Sequence, residues 1–211
     1  MDNLIYILFV SVFVPIMLMA CLIEKKARQP IVFVLAGIFI SVFAAEVNGL
    51  LCMLLPMNTF EVTIIVTPIT EEILKAVPIL IFATVLDAKK EALFTAAMAV
   101  GIGFAVLENA YYLLNDASFN MIDAIIRAFG AGLMHGMCTL LIGVGISFVK
   151  KKSKIFVVGT FALLSTAITY HGIYNMLVQS DYRAVGFLLP ISTYIPFVVW
   201  RINKKKTIKS K

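Results

Sequence analysis

The chain is poor in charge. Only 14% of its 211 residues are Asp, Glu, Lys or Arg, against about 25% in a soluble domain, and this excludes a soluble globular protein. Cysteine is scarce too. Cys21, Cys52 and Cys138 each stand alone in an apolar stretch. With no CxxC spacing, a cysteine zinc site and a disulfide framework are both excluded; small buried apolar side chains are the simpler role. There are two histidines, His135 and His171, and no His-Glu-x-x-His helix. The first apolar run ends in Glu24-Lys25-Lys26 rather than in small residues. It lacks a cleavage signal and is expected to stay as a signal anchor.

What is abundant is hydrophobe: 61% of the residues, with a mean hydropathy of +0.99. A spanning helix needs ~20 mainly apolar residues. Seven stretches qualify, at about 3–23, 31–55, 61–86, 92–114, 123–149, 155–178 and 184–202. The expected fold is an all-α integral membrane protein, a bundle of about seven transmembrane helices forming one membrane-embedded domain over 1–211. Basic residues cluster in alternate loops: Lys25, Lys26 and Arg28; Lys89 and Lys90; Lys150, Lys151, Lys152 and Lys154; and a tail with Arg201, Lys204, Lys205, Lys206, Lys209 and Lys211. The other loops carry only Arg183, with Arg127 just inside the fifth stretch. This alternation puts the N-terminus outside and the C-terminus in the cytoplasm. The net charge of +6 is topogenic, which leaves no case for nucleic acid as a partner; the partner implied is the lipid bilayer.

Against this background three polar clusters stand out. A charged side chain at the centre of an inserted helix costs at least ~2.5–3.5 kcal/mol, so such residues point to an intramembrane active or transport site. Glu71 and Glu72 lie four and three residues before Lys75, which makes them same-face neighbours of the amine, while pointing about 100° apart from each other. Pro68 and Pro78 flank the group. Phe104 precedes Glu108 by one turn, and Asn109 adjoins it. His171 and Asn175 are four apart and suit a donor pair for an oxyanion; His135 has Thr139 at the same spacing. The helix rise places Glu71 and Glu72 roughly 15 Å, His171 roughly 10 Å and Glu108 ~9 Å from the outer ends of their helices, one layer between the midplane and the outer surface. Glu46 and Asn48 read as supporting residues. The pairs Gly132/Gly136 and Ala97/Gly101 suit close helix packing.

The ordered set Glu71-Glu72-x-x-Lys75, Phe104-x-x-x-Glu108-Asn109, His135 and His171-x-x-x-Asn175 resembles the PrsW family of intramembrane proteases. That family is distantly similar to the CAAX-processing and bacteriocin-processing proteases. The resemblance spans about residues 60–180. Glu108 stands where the CAAX-type pattern has His, and Lys75 comes one position before its Arg; both departures favour the PrsW pattern. The resemblance implies an enzyme of the bacterial cell membrane, a peptidase making a site-1 type cut near the outer face in a single-span membrane protein substrate, an anti-sigma factor.

Peptide hydrolysis needs an activated water, a proton donor for the leaving amine and a stabilised oxyanion. In a metal-free version, which the residues favour slightly, Glu71 or Glu72 with a histidine polarises water, His171 with Asn175 holds the oxyanion, and Lys75 holds the Glu pair. In a zinc version Glu108, His135 and His171 supply three ligands, with Glu71 or Glu72 as base. The rivals are a proton-coupled secondary transporter, for which no paired broken helices are evident, and a non-catalytic scaffold or immunity protein. An impermeant thiol reagent should label a cysteine placed within residues 87–91 only after the membrane is opened. Labelling in intact cells would reverse the orientation.

Overall fold

The structure, a computed structural model, describes residues 4–115, 121–148 and 154–209. Lys150, Lys151, Lys152 and Lys211, which entered the charge argument, lie outside the described residues. The helices are α1 (Leu4–Leu22), α2 (Lys25–Leu54), α3 (Thr59–Glu61), a π-helical segment (Val62–Val66), α4 (Thr67–Thr84), α5 (Lys90–Asn115), α6 (Met121–Ile146), α7 (Lys154–Val178) and α8 (Arg183–Lys209). No strand occurs among the described residues. The backbone stays right-handed helical from α3 through the π-segment into α4. They form one rod, so the described residues make a bundle of seven long helices.

Its start is set locally. Asn58 accepts from the Glu61 amide while Glu61 returns a bond to the Asn58 amide, each at 2.9 Å, a capping box that satisfies two orphan donors. Its end is the turn at Asp87, whose φ of 49° is a conformation aspartate tolerates.

Among the described residues, four helices are long and apolar enough to cross a membrane by length and composition: Leu4–Leu22, Ala27–Leu54, Lys90–Asn115 and Ala124–Ile146. α4 carries Glu71, Glu72 and Lys75 in eighteen residues, so the same charges that dilute its apolarity make the site. Outward faces are apolar, as at Leu22, Met53 and Phe161, which suits lipid as solvent.

The packing centres on α5, which lies against α2 on one side and α6 on the other, with α4, α6 and α7 closing the far side. Ile79, Leu93, Val100, Met134, Cys138 and Ile142 fill the main core. A smaller cluster of Ile5, Ile38 and Leu107 joins α1 to α2 and α5. At several crossings the backbones approach too closely for a Cβ, most tightly where Gly37 and Gly103 join α2 to α5. One at Gly101 would collide with the His135 carbonyl, and one at Gly172 would sit 2.8 Å from the Ile64 carbonyl in the π-segment. The residue next to Gly172 is His171, so the glycine sets how far that histidine reaches toward α4.

Gly172→Val should therefore cost about 1–3 kcal/mol through overpacking, read as a lowered melting temperature in detergent. An unchanged melting temperature would show that α7 does not rest on the π-segment as described.

Candidate active site

α4 delivers Glu71, Glu72 and Lys75; α5 delivers Phe104 and Glu108; α6 brings His135 and α7 brings His171. Together they form one connected network. Lys75 Nζ donates to Glu72 Oε1 at 2.7 Å and lies 3.8 Å from Glu71 Oε2. It also meets His135 Nδ1 at 2.8 Å. An ammonium only donates, so Nδ1 accepts, and the His135 proton sits on Nε2, which faces Glu108 Oε2 at 2.8 Å. His171 Nδ1 meets Glu72 Oε1 at 2.8 Å. A carboxylate only accepts, so His171 carries its proton on Nδ1 and turns Nε2 toward Glu71 Oε2, 3.9 Å away.

Burial is nearly complete. Lys75 and Glu72 are 0% exposed, His135 and His171 1%, and Glu71 4%. The ammonium of Lys75 also lies 4.2 Å from the Phe104 ring centre. The two imidazoles stand edge to face at 4.9 Å. A lone buried ion is prohibitive, but an ion pair whose remaining valences are hydrogen-bonded is tolerated. Here one ammonium touches two carboxylates, an imidazole and a ring face.

The site opens to two hollows. A cavity of about 290 Å³ reaches Asn48, Thr67, Glu71, Glu108 and Tyr112. A smaller one of about 90 Å³ reaches Glu108, His135, Arg127 and Asn175. Glu108 lines both, and its side chain keeps 17% exposure, so it is the carboxylate best placed to meet water.

Glu71, Glu72, Lys75, Glu108, His135 and His171 all converge here. Asn175 lines the smaller cavity and donates one Nδ2–H to the Thr63 carbonyl of the π-segment at 3.1 Å. With His171 Nδ1 on Glu72, the expected donor pair would draw on the second N–H of the Asn175 amide. Thr139 donates to the His135 carbonyl at 2.8 Å. Asn48 Nδ2 reaches Glu71 Oε1 at 3.4 Å, and Thr70 bonds its Oδ1. Sequence reasoning passed over Tyr112, which follows Glu108 by one turn, lines both cavities and lies 4.2 Å under the Arg127 guanidinium. Its four-residue spacing from Glu108 was the available signal.

The described residues also supply a metal-competent set. One ligand atom each from Glu71, His135 and His171 lie within 4.8 Å of one another, and tetrahedral ligation at ~2.0–2.1 Å would draw them closer. Glu71 Oε2 is buried without a hydrogen-bond partner, an orphan that a cation would satisfy. The set differs from the expected trio in having Glu71 in place of Glu108. His135 has both ring nitrogens engaged, so ligation through it requires Lys75 or Glu108 to yield.

Residues 25–201 match the model of a family described as PrsW family intramembrane metalloprotease. No curated protein and no solved structure matches the chain.

Removing the hub charge gives a test of the network. Lys75→Met should cost about 3–5 kcal/mol because it strands a buried carboxylate. Pairing it with Glu72→Gln should recover part of that loss in thermal unfolding. Full additivity of the two losses would show that the residues do not interact as described.

Proposed function

The chain belongs to the PrsW family of intramembrane metalloproteases, and on that premise we propose that it cuts a single-span membrane protein near the outer face of a bacterial cell membrane. The cut is a site-1 type cleavage, and the substrate class is an anti-sigma factor. The observation that carries the reading is the buried convergence of three glutamates, one lysine and both histidines on a cavity. The helix depths and loop charges favour an outer-half site, with the N-terminus outside.

The family description and the orphaned Glu71 oxygen favour the metal-dependent version over the metal-free one. Glu71, His135 and His171 would hold the ion. Bound there, zinc would supply an acidified water and polarise the scissile carbonyl.

The remaining roles fall to the chain's own groups. Glu72 fixes the tautomer and direction of His171, as carboxylates behind ligating histidines do. Lys75 stays on Glu72 and would yield His135 Nδ1 to the ion, leaving the His135 Nε2–H on Glu108. Glu108 takes a proton from the attacking water and returns it to the leaving amine, with His135 at 2.8 Å steadying it. Asn48 holds Glu71 from the cavity side.

The test uses purified full-length protein in proteoliposomes and a panel of single-span reporters, each with one apolar helix and a fluorescent outer domain. Wild type should cleave at least one reporter, lose that activity to chelator and regain it with zinc. Glu71→Gln and Glu108→Gln should each lower the rate by at least about 100-fold, with normal yield and monodispersity. Glu72→Gln should weaken zinc binding by about 10- to 100-fold, measured by competition with a chelating dye. Normal cleavage by a Glu71/Glu72 double glutamine variant would remove the pair from catalysis. No cleavage of any reporter would favour the transporter or scaffold alternatives.

A further inference from the structure

We propose that the substrate's membrane-spanning segment reaches the site sideways from the lipid, along the outward face of α2 and past Gly49, with α1 as the movable wall. This rests on the protease reading above and names how that substrate arrives.

Two hollows meet on α2. The inner one is the cavity of about 290 Å³ that ends at Glu71 and Glu108. The outer one is a groove of about 450 Å³ lined by Glu46, Val47, Gly49, Leu50 and Met53. Glu46 and Gly49 line both, so groove and cavity adjoin across α2. The groove's outward side chains are apolar, with Leu50 57% and Met53 85% exposed. That is a surface for an apolar helix. Past Glu46 the lining gains polar groups, Asn48 and Thr67 and then Glu71 and Glu108, among apolar ones such as Ile5 and Phe104. The change suits the physics of the substrate. A helix cannot unwind in hydrocarbon, because its freed backbone groups find no partners; it can unwind where a protein cavity supplies them. The groove is apolar where the segment must stay helical, and the cavity supplies polar partners where its backbone must open for attack.

Gly49 differs from the packing glycines. A Cβ at Gly101 or Gly172 would press on a neighbouring backbone carbonyl, whereas one at Gly49 would meet nothing within 4 Å. Packing does not demand this glycine; its effect is to leave room at the threshold between the hollows. α1 is the least embedded wall, with only Ile5 and Ala20 buried. Ile5 lines the inner cavity, and the neighbouring Tyr6 hydroxyl donates to Glu46 at the threshold. At the other end of α1 the Arg28 guanidinium holds the Ile23 carbonyl at 3.0 Å. Release of the Tyr6–Glu46 bond would let α1 swing from that anchored end.

The experiment places a photo-crosslinking p-benzoylphenylalanine at Leu50, at Met53, or at Phe161 on the outward face of α7, in wild type and in the Glu71→Gln chain. The reporter panel above serves as the probe in proteoliposomes. Reporters should crosslink through positions 50 and 53 and not through 161. Gly49→Leu should lower reporter cleavage at least tenfold. Gly132→Leu, which fills equally open space on α6, should cleave as wild type does. Crosslinking through 161 instead, or wild-type cleavage by Gly49→Leu, overturns the route while leaving the protease reading intact. Crosslinks through 50 and 53 without cleavage of any reporter would support the passage and overturn the protease reading. Absence of both overturns the two together.

Discussion

The geometry of the site depends on one oxygen. Glu72 Oε1 accepts from Lys75 and from His171 in the same buried spot, and through Lys75 it reaches His135 and then Glu108. Four helices are thus oriented by a chain of charge-assisted bonds in which each donor fixes the tautomer of the next ring. In a low-dielectric interior such bonds are strong when complete and costly when broken. The network is therefore a constraint on the fold as much as a chemical apparatus: α4, α6 and α7 must meet at this depth, or charges are stranded in the core.

The glycines show how the bundle meets that constraint. Gly172 brings α7 against the π-segment beside His171, and Gly101 brings α5 against the His135 backbone, from which Phe104 and Glu108 follow on the same helix. Gly37 and Gly103 bring α2 and α5 equally close on the other side of the bundle. The cavity that reaches Glu71 lies between α1, α2, α4 and α5.

Much of this was legible in the sequence. Seven apolar runs gave a helical bundle, because a membrane leaves helices as the economical way to satisfy backbone groups. Charges amid hydrophobe marked Glu71, Glu72, Lys75, Glu108 and the histidines, because burial is affordable for them only in company. What sequence could not give was partner choice. Spacing put Asn175 on the face of His171 but could not show that its amide would donate one N–H to the Thr63 carbonyl, since that carbonyl is turned toward it by a π-segment with no sequence signature. Spacing likewise left open which carboxylate faces both histidines. Glu71 joins them at the metal-competent set while Glu108 pairs with one nitrogen of His135, a distinction that lies in helix rotation. Asn48 read as a supporting residue without a named partner; the packing of α2 on α4 brings it to Glu71.

The π-segment between α3 and α4 has a consequence for the angular phase of the third rod. A π turn closes each bond over one more residue than an α turn, and one additional residue rotates everything beyond it by about 100°. The face that Thr59–Glu61 presents at the rim is thus out of phase with the face that carries Glu71 and Lys75. Sequence changes at the rim act on a rotated frame. The tip of the rod can vary in what it presents while the acidic pair keeps its bearing on the histidines.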